Sequence, residues 1–333
     1  MVTNIDLDLP WTEKYRTSKI EDIYTQDSIK SLLLKVFESD DLPNLLLYGP
    51  SGTGKTSTIL SIAKQLFGQN VYKSRILELN ASDDRGINIV RDKIKRFANS
   101  SISAGDENYP SPNFKIVILD EADNITIDAQ SALRRIIETT SKITRFCIIC
   151  NNITRIIDPI SSRCAKFRYS LIRDEDMKMK LNGIIKNEDI EMDNNVVGEI
   201  IKYSNGDLRK AISYLQSTHL LTEKNQLVTL YQLLGVLSDE DKELLKKILL
   251  IDDITDNIVF VEYLISKGFS YILISEFLIE HIYNDDNLDT STKSIIILHI
   301  GRNVRMLVEG AEEFIILLNI ISGIRSILTN KLE

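Results

Sequence analysis

Along the first half of the chain, short apolar runs alternate with segments whose apolar residues recur every three or four positions. Leu45-Leu46-Leu47-Tyr48 is a compact run closed by Gly49, and Ile59, Ile62, Ala63 and Leu66 follow at helical spacing. Arg75 to Leu79 reads as a second strand, and Ile87, Val90, Ile94 and Phe97 mark one face of a helix. Ile116 to Leu119 is a third strand that stops at two carboxylates. Ala129, Ala132, Leu133, Ile136 and Ile137 mark the next helix, and Phe146 to Cys150 a fourth strand. This alternation predicts a parallel sheet with helices on both faces, whose ligands sit at the carboxyl ends of the strands.

After about Tyr169 the strand signals fade. Glu175 to Asn187, Asn194 to Tyr203 and Asp207 to Ser217 read as helices, with Gly206-Asp207 as a turn and N-cap. From about Lys224 the pattern stays helical. Lys293 to Val308 and Glu312 to Leu328 carry more Ile and Leu than a solvated helix needs, so they pack in an internal core or against other chains. Asn99 to Pro112, rich in Ser, Asn, Gly and Pro, is expected to be a flexible loop.

The 333 residues are 43 % hydrophobic and 26 % charged, enough for ordinary cores in two or three domains. A net charge of −8 excludes a uniformly basic surface, so any nucleic-acid contact must come from a local basic face. Cys147 and Cys150 form a C-x-x-C pair, the spacing of redox and zinc motifs. On a strand, residues three apart point to opposite faces, so buried thiols are expected instead. Met1 to Pro10 lacks the basic start and apolar run of a signal peptide. Phe314 to Ile324, broken by Asn319, is far short of the ~20 residues of a spanning helix. A soluble intracellular protein is expected, with no membrane partner.

The chemistry concentrates in two words. Gly49-Pro50-Ser51-Gly52-Thr53-Gly54-Lys55-Thr56 fits G-x-x-x-x-G-K-[ST] between a strand and a helix, followed by Ser57. The glycines let backbone N–H groups face a phosphate at a helix N-terminus. Lys55 can reach the β- and γ-phosphates, and the Thr56 hydroxyl can ligate Mg²⁺. At the end of a buried strand, Asp120 can hold the same metal and Glu121 can polarise the attacking water. Together they predict a nucleoside triphosphatase that uses water as nucleophile.

Further words are more specific. Pro10-Trp11-Thr12-Glu13-Lys14-Tyr15-Arg16, Glu78 to Ile87 (ELNASDDRGI), Ala129 to Arg135 (AQSALRR), Ser162-Arg163-Cys164 and Gly206 to Lys210 (GDLRK) occur in this order. With them the chain resembles, over essentially its whole length, the small subunits of replication factor C, clamp loaders of the AAA+ ATPase class. Thr17 and Ser51 stand where that family usually has proline. The resemblance implies an α/β P-loop NTPase (AAA+) domain with a parallel sheet at 1–169. An all-α lid at 170–223 and an all-α collar at 224–333 would follow it.

It also implies roles. ATP is the nucleotide. Asn151 is similar to the sensor that touches the γ-phosphate or the lytic water. Arg163 looks like an arginine finger given in trans to a neighbouring subunit, and Arg209 like a second sensor on the lid. Tyr15 and Arg16 belong to a box near the adenine, and Asn80 to a polar switch on Glu121. The implied partners are other subunits of a hetero-pentamer, a sliding clamp of the proliferating cell nuclear antigen type, and primer–template DNA. The place of work would be the nucleus in a eukaryote, or the cytoplasm in an archaeon or for a virus.

The stretch Arg85 to Arg96 contains Arg85, Arg91, Lys93, Lys95 and Arg96 against a single acid, Asp92. Arg91 and Lys95, four apart, share a face that suits a phosphate backbone, although a solvated face fits the same charges. With Arg85 they are the candidate DNA contacts; Arg134 and Arg135 are weaker ones, since one can serve the ATP site instead. Two other functions stay open at this point. One is a subunit that binds nucleotide and donates Arg163 without hydrolysing; the other is a different AAA+ machine, such as a branch-migration motor.

Overall fold

The structure is a computed structural model. It describes residues 9–17, 42–81, 87–100, 102, 105, 108–221, 225–249 and 254–329. Of the expected loop Asn99 to Pro112, residues 101, 103, 104, 106 and 107 lie outside that set. The chain divides into two compact units, residues 1–219 and 220–333.

Among the described residues the first unit is built on five strands: β1 (Leu45–Tyr48), β2 (Ile76–Asn80), β3 (Lys115–Asp120), β4 (Thr144–Cys150) and β5 (Ala165–Arg168). They run parallel in the order β2-β3-β4-β1-β5. Parallel sheets are covered on both faces, and the alternation of side chains shows it here. Leu45, Leu47, Ile116, Ile118, Cys147 and Ile149 pack on one side, under Ile59, Ile62, Ala63, Leu66 and Phe67 of α2 (Lys55–Arg75). Leu46, Val117, Leu119, Phe146, Ile148 and Cys150 pack on the other. They meet Ile94 of α3 (Ile87–Asn99) and Leu133, Ile136 and Ile137 of α4 (Ile127–Thr140). Cys147 and Cys150 thus lie on opposite faces, both buried. Among the described residues no three His, Cys, Asp or Glu side chains cluster as a metal centre.

Two boundaries differ from the sequence reading. Arg75 ends α2 and is not in a strand. It is 1 % exposed and donates to the carbonyls of Pro112 (3.0 Å) and Phe114 (3.4 Å), which supplies a buried guanidinium with acceptors. β5 is a fifth strand beyond the four expected. Its Lys166 and Arg168 are exposed while Ala165 and Phe167 pack on the core, the signature of a short edge strand with two cations facing water.

Two more pieces shape the site. A one-turn helix α1 (Trp11–Lys14) precedes the sheet, and a one-turn helix α5 (Asp158–Ser161) lies between β4 and β5. After the sheet come α6 (Asp174–Asn187), α7 (Asn194–Ser204) and α8 (Leu208–Leu221). These are the three helices expected there. Asp207 caps α8, its Oδ1 accepting the N–H of Lys210 at 3.1 Å.

The second unit is α-helical where described: α9 (Gln226–Leu234), α10 (Asp239–Ile248), α11 (Ile254–Ser266), α12 (Tyr271–Asn284), α13 (Thr290–Val308) and α14 (Glu313–Thr329). Ile296, Ile300, Ile316, Leu317, Ile320, Ile321 and Ile324 form its core, so much of the apolar excess of the last two helices is internal. Ile295, Leu298, Met306, Val308 and Ile315 remain exposed. No helix among the described residues is long and apolar enough to cross a membrane.

A polar knot joins α13 and α14. Asn319 donates to Asn303 Oδ1 at 2.8 Å, and His299 Nε2 lies 3.0 Å from the Asn319 carbonyl. Gly323 leaves room for that ring: a Cβ there would stand 2.1 Å from His299 Nε2. Around Gly301 on α13, by contrast, nothing lies within 4 Å of the added carbon. Gly323→Ala should therefore destabilise this unit by roughly 1–3 kcal/mol through overpacking. Gly301→Ala should stabilise it by about 0.5–1 kcal/mol through helix propensity. Denaturant melts of the two variants should move in opposite directions.

Candidate active site

The cavity at the carboxyl end of the sheet is assembled around the loop between β1 and α2. Gly49, Gly52 and Gly54 have φ of 141°, 66° and 91°, which lets the loop curl. Two of them are also held by space. A Cβ on Gly49 would stand 2.2 Å from the Tyr169 carbonyl, and one on Gly52 would stand 1.7 Å from Asp207 Oδ1. Ser51, Gly52, Thr53, Gly54, Lys55, Thr56 and Ser57 line the cavity. Gly49 and Pro50 act through their carbonyls, which accept from Lys55 Nζ at 2.8 and 2.7 Å. Lys55 also donates to Asn151 Oδ1 at 3.1 Å. Burial holds the Lys55 ammonium below the usual lysine range, while the nearby Asp120 carboxylate pulls it back up.

β3 delivers the carboxylates. Asp120 Oδ2 accepts the Thr56 hydroxyl at 2.7 Å, and Asp120 Oδ1 accepts the N–H of Glu121 at 2.9 Å. Glu121 has φ of 52°, rare for a residue with a side chain, and such strain of about 1–3 kcal/mol persists where surroundings enforce it. Its Oε2 accepts from Asn124 at 3.2 Å. Asn80, at the end of β2, is in register with Asp120. Asp123 follows three positions after Asp120. Its Oδ2 accepts the N–H groups of both Asn151 and Asn152 at 3.3 Å, which fixes the loop carrying Asn151.

The lid side closes the cavity through Ile172, Lys180, Leu208, Arg209 and Ile212. Asp207, read from sequence only as a cap, also accepts the Ser51 hydroxyl at 3.1 Å, and Leu208 N–H donates to the Gly52 carbonyl at 3.2 Å. The lid helix thus sits directly on the phosphate loop. Thr12, Glu13, Tyr15, Arg16 and Thr17 line the remaining wall. Tyr15 donates to Glu188 Oε1 at 2.5 Å and Lys14 pairs with the same oxygen at 2.6 Å. Burial, then the hydrogen bond to that carboxylate, pushes the Tyr15 phenol far up. Glu188 sits 173 positions from Tyr15, and no local signal marks it.

Arg163 does not line the cavity. Its guanidinium is partly exposed, donates to the Pro159 carbonyl and pairs with Glu138 at 2.7 Å. Arg134 pairs with the same carboxylate at 3.1 Å, and the two cations hold the Glu138 carboxyl below its usual range, Arg134 most. Arg135, next to it, lines a shallow groove between α3 and α4 with Lys95, Asp128, Ser131 and Thr139. Of the basic candidates, Lys95 is exposed on α3, Arg85 lies outside the described residues, and Arg91 lies on α3 with its side chain outside them. Gln130, buried, bridges the carbonyls of Ile125 and Arg155 and the N–H of Ile157 at 2.9–3.1 Å. It thereby joins the segment after the carboxylates to the one leading to Arg163.

Comparison with known proteins agrees with this geometry. Residues 45–170 match the model of the ATPase family associated with various cellular activities (AAA), and residues 180–220 that of the RCF1/5-like AAA+ ATPase lid domain. The chain is 43 % identical over 323 residues to replication factor C subunit 2 of Oryza sativa subsp. japonica, covering 94 % of this chain and 93 % of that one. The chain belongs to the replication factor C subunit family. Subunit 2 of Saccharomyces cerevisiae is also 43 % identical, covering 94 % of this chain and 91 % of its own. Subunit 4 of Homo sapiens is 40 % identical, covering 94 % and 86 %. As a replication factor C subunit, the chain is a nucleotide-binding AAA+ ATPase that serves clamp loading in DNA replication. Among solved structures, the Holliday junction branch migration motor RuvB of Thermotoga maritima superposes with a TM-score of 0.52 at 18 % identity, over 71 % of this chain and 79 % of that one. That likeness is one of fold.

The clearance at Gly52 makes a direct prediction. Gly52→Ala forces a methyl into the Asp207 carboxylate at a positive φ. Binding of a fluorescent ATP analogue should weaken roughly tenfold or more, the equivalent of about 1.4 kcal/mol. Wild-type affinity in that variant would show that the loop and the lid separate freely.

Proposed function

We propose that this chain is a hydrolysing subunit of a hetero-pentameric loader that opens a sliding clamp of the proliferating cell nuclear antigen type and places it on primer–template DNA. In this reading residues 1–169 bind nucleotide, 170–223 form the lid and 224–333 form the collar that holds the assembly. The observation that carries it is a division of labour. Lys55, Asp120, Glu121, Asn151 and Arg209 line one cavity, whereas Arg163 stands outside it on the surface. A site so arranged manages metal and water from one chain and takes charge relief from the next.

ATP would enter with its base toward Tyr15, Arg16, Ile172 and Ile212, and its phosphates toward the loop. Backbone N–H groups at the start of α2 and the Lys55 ammonium bind the phosphates, the latter exchanging its carbonyl partners for phosphate oxygens. The hydroxyl of Thr56 and the carboxylate of Asp120, 2.7 Å apart, are hard oxygen donors that suit Mg²⁺, an ion that takes few protein ligands and keeps its waters. When bound there, it neutralises charge on the β- and γ-phosphate oxygens. Glu121 orients and polarises the attacking water, and Asn151 holds the γ-phosphate end in line. Arg209 follows the phosphates from the lid. Arg163 stabilises charge on the phosphoryl group in the neighbouring subunit's site.

Lys95, Arg85 and Arg91, joined by Arg135 in the groove beside α4, would track the DNA backbone without reading its sequence. The eukaryotic relatives support work in the nucleus; an archaeal or viral source would place it in the cytoplasm. A scaffold role without hydrolysis is disfavoured, since Lys55, Thr56, Asp120 and Glu121 are all present and bonded to one another or to the loop.

The test uses the reconstituted complex. Lys55→Ala and Glu121→Gln should each remove the turnover of this subunit's site. Arg163→Ala should lower hydrolysis at the adjacent site by about 10³-fold, in the range of other arginine fingers, while nucleotide binding in its own pocket persists. Unchanged turnover in all three variants, with every partner present, would sink this reading.

A further inference from the structure

The first unit also buries a lysine that the nucleotide site does not use. Lys115 opens β3 and is 1 % exposed. Its ammonium donates to the Phe97 carbonyl at 2.8 Å, to the Ser100 hydroxyl at 2.7 Å and to the Ser100 carbonyl. It also lies 5.1 Å from the centre of the Phe97 ring. Those acceptors belong to the end of α3, where a helix leaves carbonyls unpaired and presents the negative end of its dipole. Burial, then the neighbouring Arg75, holds this ammonium below the usual lysine range. Packing alone does not call for it, because a methionine would fill similar space without desolvating a charge.

The location gives the lysine a purpose. β3 runs from Lys115 to Asp120, a rod of ~17 Å bonded in register to β2 and β4. At its far end stand Asp120, bonded to Thr56, and then Glu121. The chain enters α3 from β2, whose end is tied to that same point: Ala81 N–H donates to the Asp120 carbonyl at 3.0 Å. The other end of α3 is tied to the start of the strand by Lys115. Between these ties α3 exposes Lys93, Lys95 and Arg96.

We propose that Lys115 is a positioning residue that locks the end of α3 to β3, so that a polyanion drawing on the basic face of α3 also shifts Asp120 and Glu121. The inference rests on the reading above that α3 lies against DNA. A plain cap would alter stability and all rates together; a coupling element alters only the response to DNA.

The experiment is made on the assembled complex with Lys115→Met in this chain. It measures ATP turnover without DNA, turnover with primer–template DNA, and DNA affinity by fluorescence anisotropy. Turnover without DNA and DNA affinity should stay within about twofold of wild type, while stimulation by DNA falls about fivefold. Undiminished stimulation overturns the proposal, as does a loss that runs parallel with DNA affinity or with unstimulated turnover. Should this variant not assemble, the exposed Ser100→Ala removes one acceptor without touching the core. It should lower stimulation about twofold, and no change there is equally fatal. A wild-type complex that primer–template DNA neither binds nor stimulates would instead overturn the DNA reading itself.

Discussion

The buried ammonium of Lys55 is the interaction around which the first unit is arranged. A charge in that position needs acceptors, and the chain supplies them from three directions: two carbonyls of its own loop, the amide of Asn151 beyond β4, and the field of Asp120 from β3. Each demand fixes a piece of backbone. The loop must curl, which requires positive φ at its glycines. Asn151 must be held, which Asp123 does through two N–H groups. Asp120 must stand at the end of a strand short enough to stop beside the loop. The parallel sheet brings these ends to one edge, and the order β3-β4-β1 sets them side by side.

Much of this was legible from the residues. Runs such as Leu45 to Tyr48 and Ile116 to Leu119 are apolar on both faces and can only be central strands of a covered sheet. The phosphate loop is legible because its chemistry is local: eight consecutive residues carry the turn, the backbone donors, the lysine and the hydroxyl. The C-x-x-C pair was settled by strand geometry, and the two thiols do sit in different halves of the core. What escaped was non-local or faint. β5 is four residues long with two cations, and its strand character comes from pairing with β1. Glu188 and Asp207 take their roles from partners far along the chain, as Glu138 does in meeting Arg163, and an isolated carboxylate carries no sign of which distant cation or hydroxyl it will meet.

Charge is used economically in this fold. Arg75 and Lys115, both almost wholly buried, reach backbone carbonyls and lie over aromatic rings. The carboxylates instead gather groups at or near the surface. Glu138 gathers Arg134 and Arg163 at the surface, and Glu188 gathers Lys14 and Tyr15 beside the cavity. A buried cation on carbonyls is a fastening, whereas an exposed one on a carboxylate can exchange its partner at modest cost.

Trp11 offers a last consequence. It is the chain's single tryptophan, buried, with its ring stacked on His219 at 5.8 Å and its backbone N–H bonded to Gln216 of α8 at 3.0 Å. The fold has therefore placed an intrinsic fluorophore at the seam between the opening segment and the lid helix. Changes in its emission report the separation of those two pieces in an unlabelled subunit, without any dye to disturb them.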